Sequence, residues 1–367
     1  MTRHHESHAS TQAQDVAKAR EIIMRHGWNA TAFQLVNPGI SLWFSKHCDS
    51  VIGYVERSGM RVVAGAPVAR HEDLGKVVEE FESDTHALGL RICYFGAETR
   101  MHKLLEVPDK HAMVVLGAQP AWHPVSWLDA YENKASLRAQ LNRSSNKGVS
   151  VSEWDWAKAE SDPKLQRVLN EWVASRGMAP LHFLVEPRTL SNLEGRRIFV
   201  ASMRGRVIGF LLCSPIPSRN GWLIEQFIRG NDAPNGTVEM MLHSAISVLA
   251  ASGAEYVTLG LSPLSPTGDI ERMNPWWLQM LFHWVRAHGK RFYNFEGLHN
   301  FKAKFEPDHW DPIYAIAPGN RFGIMPLYAI AHAFTNKNPV RFLLAELLDA
   351  VLTEARKLFT PKLFTRK

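Results

Sequence analysis

The sequence lacks most of the features by which catalytic and secreted families announce themselves. Its three cysteines, Cys48, Cys93 and Cys213, are far apart and odd in number. No Cys-x-x-Cys pair exists, so neither a zinc ribbon nor a disulfide framework is indicated. Scattered thiols of this kind point to a reducing compartment. There is no uncharged apolar run of roughly eighteen residues or more, so no transmembrane helix is expected. The N-terminal MTRHHESHASTQAQD is polar throughout and has no apolar core of the kind a secretory signal needs. Together these absences predict a cytoplasmic protein that touches a membrane, if at all, as a peripheral partner at its inner face.

Nucleophile and cofactor signatures are missing too. The chain has no Gly-x-Ser-x-Gly, no Walker loop, no dinucleotide fingerprint and no His-Glu-x-x-His. None of its 17 histidines stands at a metal-ligand spacing. His4 and His5 belong to the tail, and His243 reads as a helix-surface residue. No metal and no cofactor is implied. Chemistry that needs no such motif remains open: direct transfer between two positioned substrates, with charge stabilised by fixed donors.

What is present is the composition of a folded globular protein, 46% apolar and 21% charged, with a formal net charge of +6. That excess suits an anionic partner, whether RNA, a phosphorylated ligand or an anionic lipid surface. The 367 residues suggest two or three domain-sized units.

Hydrophobic periodicity orders the chain. A helix is expected over 12–27, ended by Gly27. Strands follow at 41–45, 51–55 and 60–64, the last two joined at Ser58-Gly59. Gly65-Ala66-Pro67 breaks the sheet. Leu74, Val77, Val78, Phe81 and Leu88 form a helical stripe over 71–88, stopped by Gly89. Strands at 90–95 and 112–116 flank a short helix. The second half repeats this order. Helices near 162–176 and 187–194 precede strands at 198–203, 207–213 and 222–228. The loop 230–236 opens a helix over 237–251, with Val238, Met241, Leu242, Ala245, Val248 and Leu249 on its apolar face, and a strand over 256–260 follows. A mixed sheet with a central helix, met twice in one chain, predicts an α/β fold of two tandem GNAT-type acyltransferase lobes. The expected boundaries are an N-terminal tail and helix (1–30), a first lobe (31–130), a basic connecting segment (131–160), a second, catalytic lobe (161–320) and a C-terminal amphipathic segment (321–367).

Three stretches carry chemistry. In the first, Trp222 to Ser252, a strand ending in Arg229 runs through a loop to a helix whose N-terminus is suited to a phosphate or an oxyanion. Asn235, Gly236 and Thr237 would let backbone approach a ligand there, although Pro-Asn-Gly is also a common turn. Glu225 and Gln226 fall on opposite faces of a regular strand, so only one of them points into a site. The second, 133–148, holds Lys134, Arg138, Arg143 and Lys147 and no acid. Its two basic pairs fall on different sides of a helix, so it reads either as a solvated linker or as the lining of a groove. The third, Arg291 to Tyr314, crowds Phe292, Tyr293, Phe295, Phe301, Phe305 and Trp310 around Lys302 and Lys304. It reads as a strand over 291–295, a Gly297 turn, a helical turn or two, and a loop around Pro307, Trp310 and Pro312. Lysines beside an aromatic floor suit a phosphate-bearing ligand; a buried edge with solvated lysines is the plainer alternative. After residue 339 a further amphipathic helix is expected, packed on the domain or resting on lipid.

The second half resembles the cytosolic catalytic domain of the phosphatidylglycerol lysyltransferases and alanyltransferases. The likeness rests on Leu141-Asn-Arg143 with Lys147-Gly148, Arg229 with Ala233-Pro-Asn-Gly236, Leu259-Gly-Leu-Ser-Pro-Leu264, and above all Tyr293-Asn-Phe-x-Gly-Leu298, Phe301-Lys-x-Lys-Phe305-x-Pro307 and Trp310-x-Pro312-x-Tyr314. Gly65-Ala-Pro67 adds to it in the first half. The resemblance implies transfer of an amino acid from an aminoacyl-tRNA to a lipid hydroxyl. It assigns phosphate binding or oxyanion stabilisation to Arg229, Lys302 and Lys304, and contact with the tRNA acceptor end to Arg138, Arg143 and Lys147. Tyr293, Asn294 and Glu296 would line the substrate. The family's aspartate three residues before the arginine is here Gln226, a departure that a bulge bringing Glu225 round would repair, with Glu296 as a spare carboxylate candidate. Family members also commonly carry a transmembrane flippase part that this sequence does not contain, so the acceptor is expected to differ or to be reached through the C-terminal segment. Two other readings fit the lobes: an acyltransferase using an acyl-thioester donor, and a non-catalytic pair that only binds an anionic ligand or membrane.

Overall fold

A computed structural model describes residues 2–176, 181–265, 274–288, 294–336 and 338. Helix α1 (Thr2–His26) leads into a first group of strands: β1 (Ser41–Phe44), β2 (Val51–Arg57), β3 (Met60–Ala64), β4 (Arg91–Ala97) and β5 (His111–Trp122). Helices α2 (Leu74–Ala87) and α3 (Thr99–Leu105) lie between them. Next come α4 (Pro124–Asn133), α5 (Ala135–Asn146), β6 (Val149–Trp154), α6 (Trp156–Glu160) and α7 (Pro163–Ala174). The second group is β7 (Arg197–Met203), β8 (Arg206–Ile216), β9 (Gly221–Arg229), α8 (Thr237–Ala251), β10 (Tyr256–Thr258) and β11 (Ser262–Pro263). Helices α9 (Trp276–His288) and α10 (Phe295–Ala303), strand β12 (His309–Pro318) and helix α11 (Ile324–Thr335) complete the described chain.

The expected helical stripes are buried because they face the sheet. Leu74, Val77, Val78 and Phe81 of α2 pack under the first group, and Met241, Leu242, Ala245 and Leu249 of α8 under the second. Leu88, placed on the α2 stripe by its spacing, is 63% exposed, because the helix ends at Ala87 and the chain turns away. Val248 also lies outward. Where a helix is expected near 187–194 there is a single 3₁₀ turn, Thr189–Ser191, preceded by another, Phe183–Val185. The segment read as a loop around Trp310 and Pro312 is strand β12, and Phe295 opens α10 instead of closing a strand. Arg291, Phe292 and Tyr293 lie outside the described residues, as does the helix expected after 339.

The twelve strands among the described residues join in one mixed sheet, ordered β1-β2-β3-β4-β12-β5-β10-β9-β8-β7-β6, with β11 paired on β5. Strand β4 is parallel to β3, and β10 is parallel to β9. These two parallel steps mark equivalent points of the two lobes. Beyond them the lobes exchange strands: β12, from the end of the chain, pairs with β4, while β5, from the first lobe, pairs with β10. The exchanged strands also pair with each other along nearly their whole length, from His309 opposite Ala121 to Pro318 opposite His111. This explains why β5 runs to Trp122, well past the expected end at Leu116. Gly117 is required where β11 crosses β5. It has φ +150°, and a Cβ there would lie 2.3 Å from the Ser262 carbonyl oxygen.

Candidate functional site

Strand β9 carries the residues around which the site was expected. Its register with β8 skips one position: Ile224 lies opposite Cys213 and Gln226 opposite Leu212, leaving Glu225 as the extra residue of a bulge. Ile224 and Phe227 point to the α8 side. Glu225 and Gln226 both project to the other side, which corrects the expectation that a regular strand would separate them.

The bulge does not bring a carboxylate to Arg229. The Glu225 carboxylate meets Arg196 Nε at 2.5 Å, accepts the Ser214 hydroxyl at 2.8 Å and takes the Gln34 amide at 3.2 Å. Arg196 is held in turn by the Asn192 carbonyl and by Asn37 Oδ1. Gln226 accepts the Thr189 hydroxyl at 2.7 Å and donates to the Glu186 carbonyl at 2.9 Å. Both side chains are therefore committed to holding the 182–192 segment and the first-lobe turn Ala32–Val36 against β9.

Arg229 ends the strand, exposed, on the Phe227 side by the two-residue period. It makes no ion pair or side-chain hydrogen bond with any described residue. Phe227 stacks on Phe301 of α10 with centroids 5.4 Å apart. The Lys304 ammonium lies 4.2 Å above the Phe301 ring and 2.5 Å from Glu239, in the first turn of α8. A carboxylate suits that position, where backbone N–H groups point outward. Lys304 thus borders the Phe227–Phe301 floor, and Arg229 lies two residues beyond Phe227 on the same side of β9.

Lys302 goes elsewhere. It is buried, and its ammonium donates to the carbonyls of Gly260 (2.8 Å) and Leu261 (2.9 Å), just beyond β10. Burial lowers its pKa to about 7. The two lysines of the Phe-Lys-x-Lys-Phe run therefore hold different elements, because positions i and i+2 on a helix do not share a face.

The N-terminus of α8 is approached by a helix. Gly236 has φ +95°, and a Cβ there would sit 2.5 Å from the Gln140 carbonyl oxygen of α5. The close backbone approach expected at this glycine is made by the basic helix. Thr237 is buried and turns its hydroxyl back to the Pro234 carbonyl, while Asn235 is exposed. Helix α5 buries Leu137 and Ser144 and leaves Arg138, Arg143 and Lys147 exposed on either flank. Lys134 bridges the Lys304 carbonyl (2.9 Å) and Glu306 (2.6 Å), tying α5 to the end of α10. Asn294 caps α10 by accepting the Gly297 N–H at 2.8 Å, and Glu296 lies in its first turn. The structure therefore brings Lys304 and helix α5 to the start of α8, leaves Arg229 exposed at the end of β9, and commits Lys302, Glu225 and Gln226 elsewhere. His243 is half-buried against Tyr131, with ring centroids 4.3 Å apart.

Two features escaped the sequence. Glu239 is a first-turn acid, a recognisable helix-start signal whose lysine partner is not. The other is a buried network across the lobe seam. Arg219 pairs with Glu98 at 2.9 Å and lies 3.7 Å from Asp311, and its guanidinium stacks 3.4 Å from the centre of the Tyr256 ring. Gln119 donates to the Tyr256 hydroxyl at 3.1 Å. Burial raises the Glu98 pKa to about 7, against the pull of Arg219.

A mixed sheet doubled in tandem, with a central helix in each half and strands exchanged between the halves, defines a two-lobed α/β protein of the GNAT type. The chain belongs to the family described as "Phosphatidylglycerol lysyltransferase, C-terminal", whose model matches residues 20–317. It is 21% identical over 282 residues to a phosphatidylglycerol lysyltransferase of Bacillus subtilis (strain 168), covering 76% of this chain and 32% of that protein. The chain spans about a third of the length of the curated relatives it matches. Its fold is similar to the C-terminal DUF2156 domain of a putative lysylphosphatidylglycerol synthetase from Agrobacterium fabrum, with TM-score 0.71, 23% identity, and coverage of 88% of this chain and 98% of that one. It is also similar to L-PGS from Bacillus licheniformis, with TM-score 0.70, 19% identity, and coverage of 86% and 95%.

Proposed function

We propose that the protein is an aminoacyltransferase that moves an amino acid from a charged tRNA to the hydroxyl of phosphatidylglycerol or a related lipid. The observation that carries this reading is the cationic rim around the start of α8. Arg229 stands exposed with no described partner at the end of β9, Lys304 meets Glu239 in the first turn of α8, and Arg138, Arg143 and Lys147 are exposed on and just after α5, the helix that packs on the start of α8. A rim of this kind suits a polyanionic donor, since phosphate contacts from Lys and Arg give sequence-independent affinity. In the transfer, the lipid hydroxyl oxygen forms a bond to the aminoacyl carbonyl carbon. The ester bond to the terminal ribose breaks, and the hydroxyl proton ends on the ribose oxygen that leaves. Arg229 stabilises the negative charge that develops on the carbonyl oxygen. The family's relatives, named as phosphatidylglycerol lysyltransferases, support the choice of acceptor and of an amino acid as the group moved.

The test supplies charged tRNA, in turn lysyl and alanyl, with phosphatidylglycerol, and looks for an amine-bearing lipid by mass. Product with the native chain and none with Arg229→Ala is the expected result. Absence of product from every charged tRNA would overturn the reading.

A further inference from the structure

We infer that the Glu239 carboxylate and the Phe301 and Phe305 rings form a seat for a primary ammonium group of the aminoacyl donor, a seat that Lys304 fills with its own ammonium. The Lys304 Nζ lies 2.5 Å from Glu239 Oε1, 4.2 Å from the centre of the Phe301 ring and 4.8 Å from that of Phe305. These are the two things a small ammonium needs. The carboxylate meets its charge and its hydrogen bonds, and the ring faces attract it through their quadrupole. The seat is partly closed from water, with Glu239 12% and Lys304 27% exposed, so salt screens it less than an open surface pair.

Two features set this seat apart from a structural ion pair. Glu239 uses one oxygen only: Oε1 takes Lys304, and Oε2 accepts nothing from a described residue. Glu225, by contrast, is sealed and has both oxygens taken, by Arg196, Ser214 and Gln34. A carboxylate has room for about four donors, so Glu239 keeps capacity for a second one. The other feature is position. Phe301 stacks on Phe227, and Arg229, which faces the carbonyl oxygen in the proposed transfer, follows Phe227 by two residues on the same side of β9. An aminoacyl ester carries its α-amine one carbon from that carbonyl, so a site that handles one group must offer a place for the other. Exchange of Lys304 for the donor's ammonium keeps the carboxylate paired throughout, and no charge is left alone in a partly buried place. It also frees a long side chain whose ordering costs entropy, and leaves its charge available to the donor's phosphates. The inference rests on the function proposed above for the nature of the ligand, an aminoacyl ester.

The experiment titrates the full chain by calorimetry, without tRNA or lipid, with alaninamide, ε-aminocaproamide and N-acetylalaninamide. The first carries an α-ammonium, the second only a side-chain ammonium, and the third none. At least one of the two ammonium compounds should bind, and the better binder assigns the seat to the α- or the side-chain group. Glu239→Gln should weaken that binding by about tenfold or more, the cost of a lost charge-assisted hydrogen bond. Lys304→Met removes the internal competitor and should tighten it severalfold. Glu239→Gln/Lys304→Met leaves no lone charge, so it should fold like the native chain and bind neither compound, which keeps the test open if Lys304→Met does not fold. Absence of binding by both ammonium compounds overturns the inference. So does equal binding of N-acetylalaninamide, binding unchanged by Glu239→Gln or by the double substitution, or equal loss of binding in a folded Lys304→Met chain, which would mark the pair as structural. Ammonium binding without transfer from any charged tRNA overturns the proposed function and leaves the seat standing; transfer without ammonium binding does the reverse.

Discussion

Glu225 and Arg196 form an ion pair withdrawn from water: Nε and Oε1 are 2.5 Å apart, and the side chains are 2% and 0% exposed. The pair joins β9 to the turn before β7, and through Gln34 and Asn37 it reaches the first lobe. A buried pair adds little over a hydrophobic replacement, but breaking it leaves a lone buried charge, at a cost of roughly 3–5 kcal/mol. Glu225→Gln should therefore lower unfolding stability by that order in a urea titration. Any loss of transfer should follow the unfolded fraction. Loss of transfer at full stability would make Glu225 a reacting group after all.

Arg229→Ala should do the reverse. The side chain is exposed and makes no described contact, so stability should stay within about 0.5 kcal/mol. Transfer should fall by about a hundredfold or more, the usual cost of removing one donor to a developing oxyanion. Calorimetry and single-turnover transfer on the same preparation separate the two effects.

Arg138, Arg143 and Lys147 are exposed on two flanks of α5. If they meet tRNA phosphates, changing each to Gln should weaken tRNA binding and flatten its salt dependence. The slope of log affinity against log salt should shrink by about 0.7–0.9 for each phosphate that is no longer neutralised. An unchanged slope in the triple variant would place the tRNA on another face.

Lys302 predicts a pH dependence. Its pKa is about 7 in the folded protein, against 10.5 for a free lysine, because burial disfavours the charged ammonium. Between those values the unfolded chain binds the extra proton, so this group makes stability rise with pH, by up to about 1.4 kcal/mol per unit. Its two carbonyl acceptors reduce the rise by favouring the ammonium. Lys302→Met should remove this component and leave the Gly260 and Leu261 carbonyls unpaired, costing about 1–3 kcal/mol. Urea titrations of both proteins at several pH values from 7 to 10 test it. The native-minus-variant difference should widen with pH.

Gly236→Ala should be destabilising on two counts, a φ of +95° and a Cβ 2.5 Å from the Gln140 carbonyl oxygen. A loss of more than about 1 kcal/mol is expected. Because the clash falls between α5 and α8, weaker tRNA binding should accompany it, measurable by filter retention at fixed salt.

Much of the fold was legible because its signals are local. The stripes of α2 and α8 (Leu88 and Val248 excepted), the Ser58-Gly59 hairpin and the strand ahead of the Pro-Asn-Gly loop are set by neighbours in sequence, and each appears where its spacing places it. The failures have a common cause in long-range pairing. Trp310 and Pro312 read as loop because proline interrupts a strand, yet β12 lies between β4 and β5. The bulge at Glu225 depends on how β8 meets β9, which no spacing within β9 records. Lys302 and Lys304 look like twins in the sequence, and the helix sends one into the lobe interior and the other to Glu239.

By itself the sequence determined most of the element types, their doubled order, the excess of positive charge and the residues that mark the family. Periodicity, turn chemistry and composition act over a few residues, so they survive being read along the chain. Tertiary structure alone decided which carboxylates are committed to structure, which cations stay available, and how Gln119, Tyr256, Asp311 and Glu98 meet at one seam. The seam depends on the exchange of β5 and β12 between the lobes and the carboxylates on the meeting of β8 with β9; both are settled by backbone pairing across the sheet, not by the side chains next along the chain.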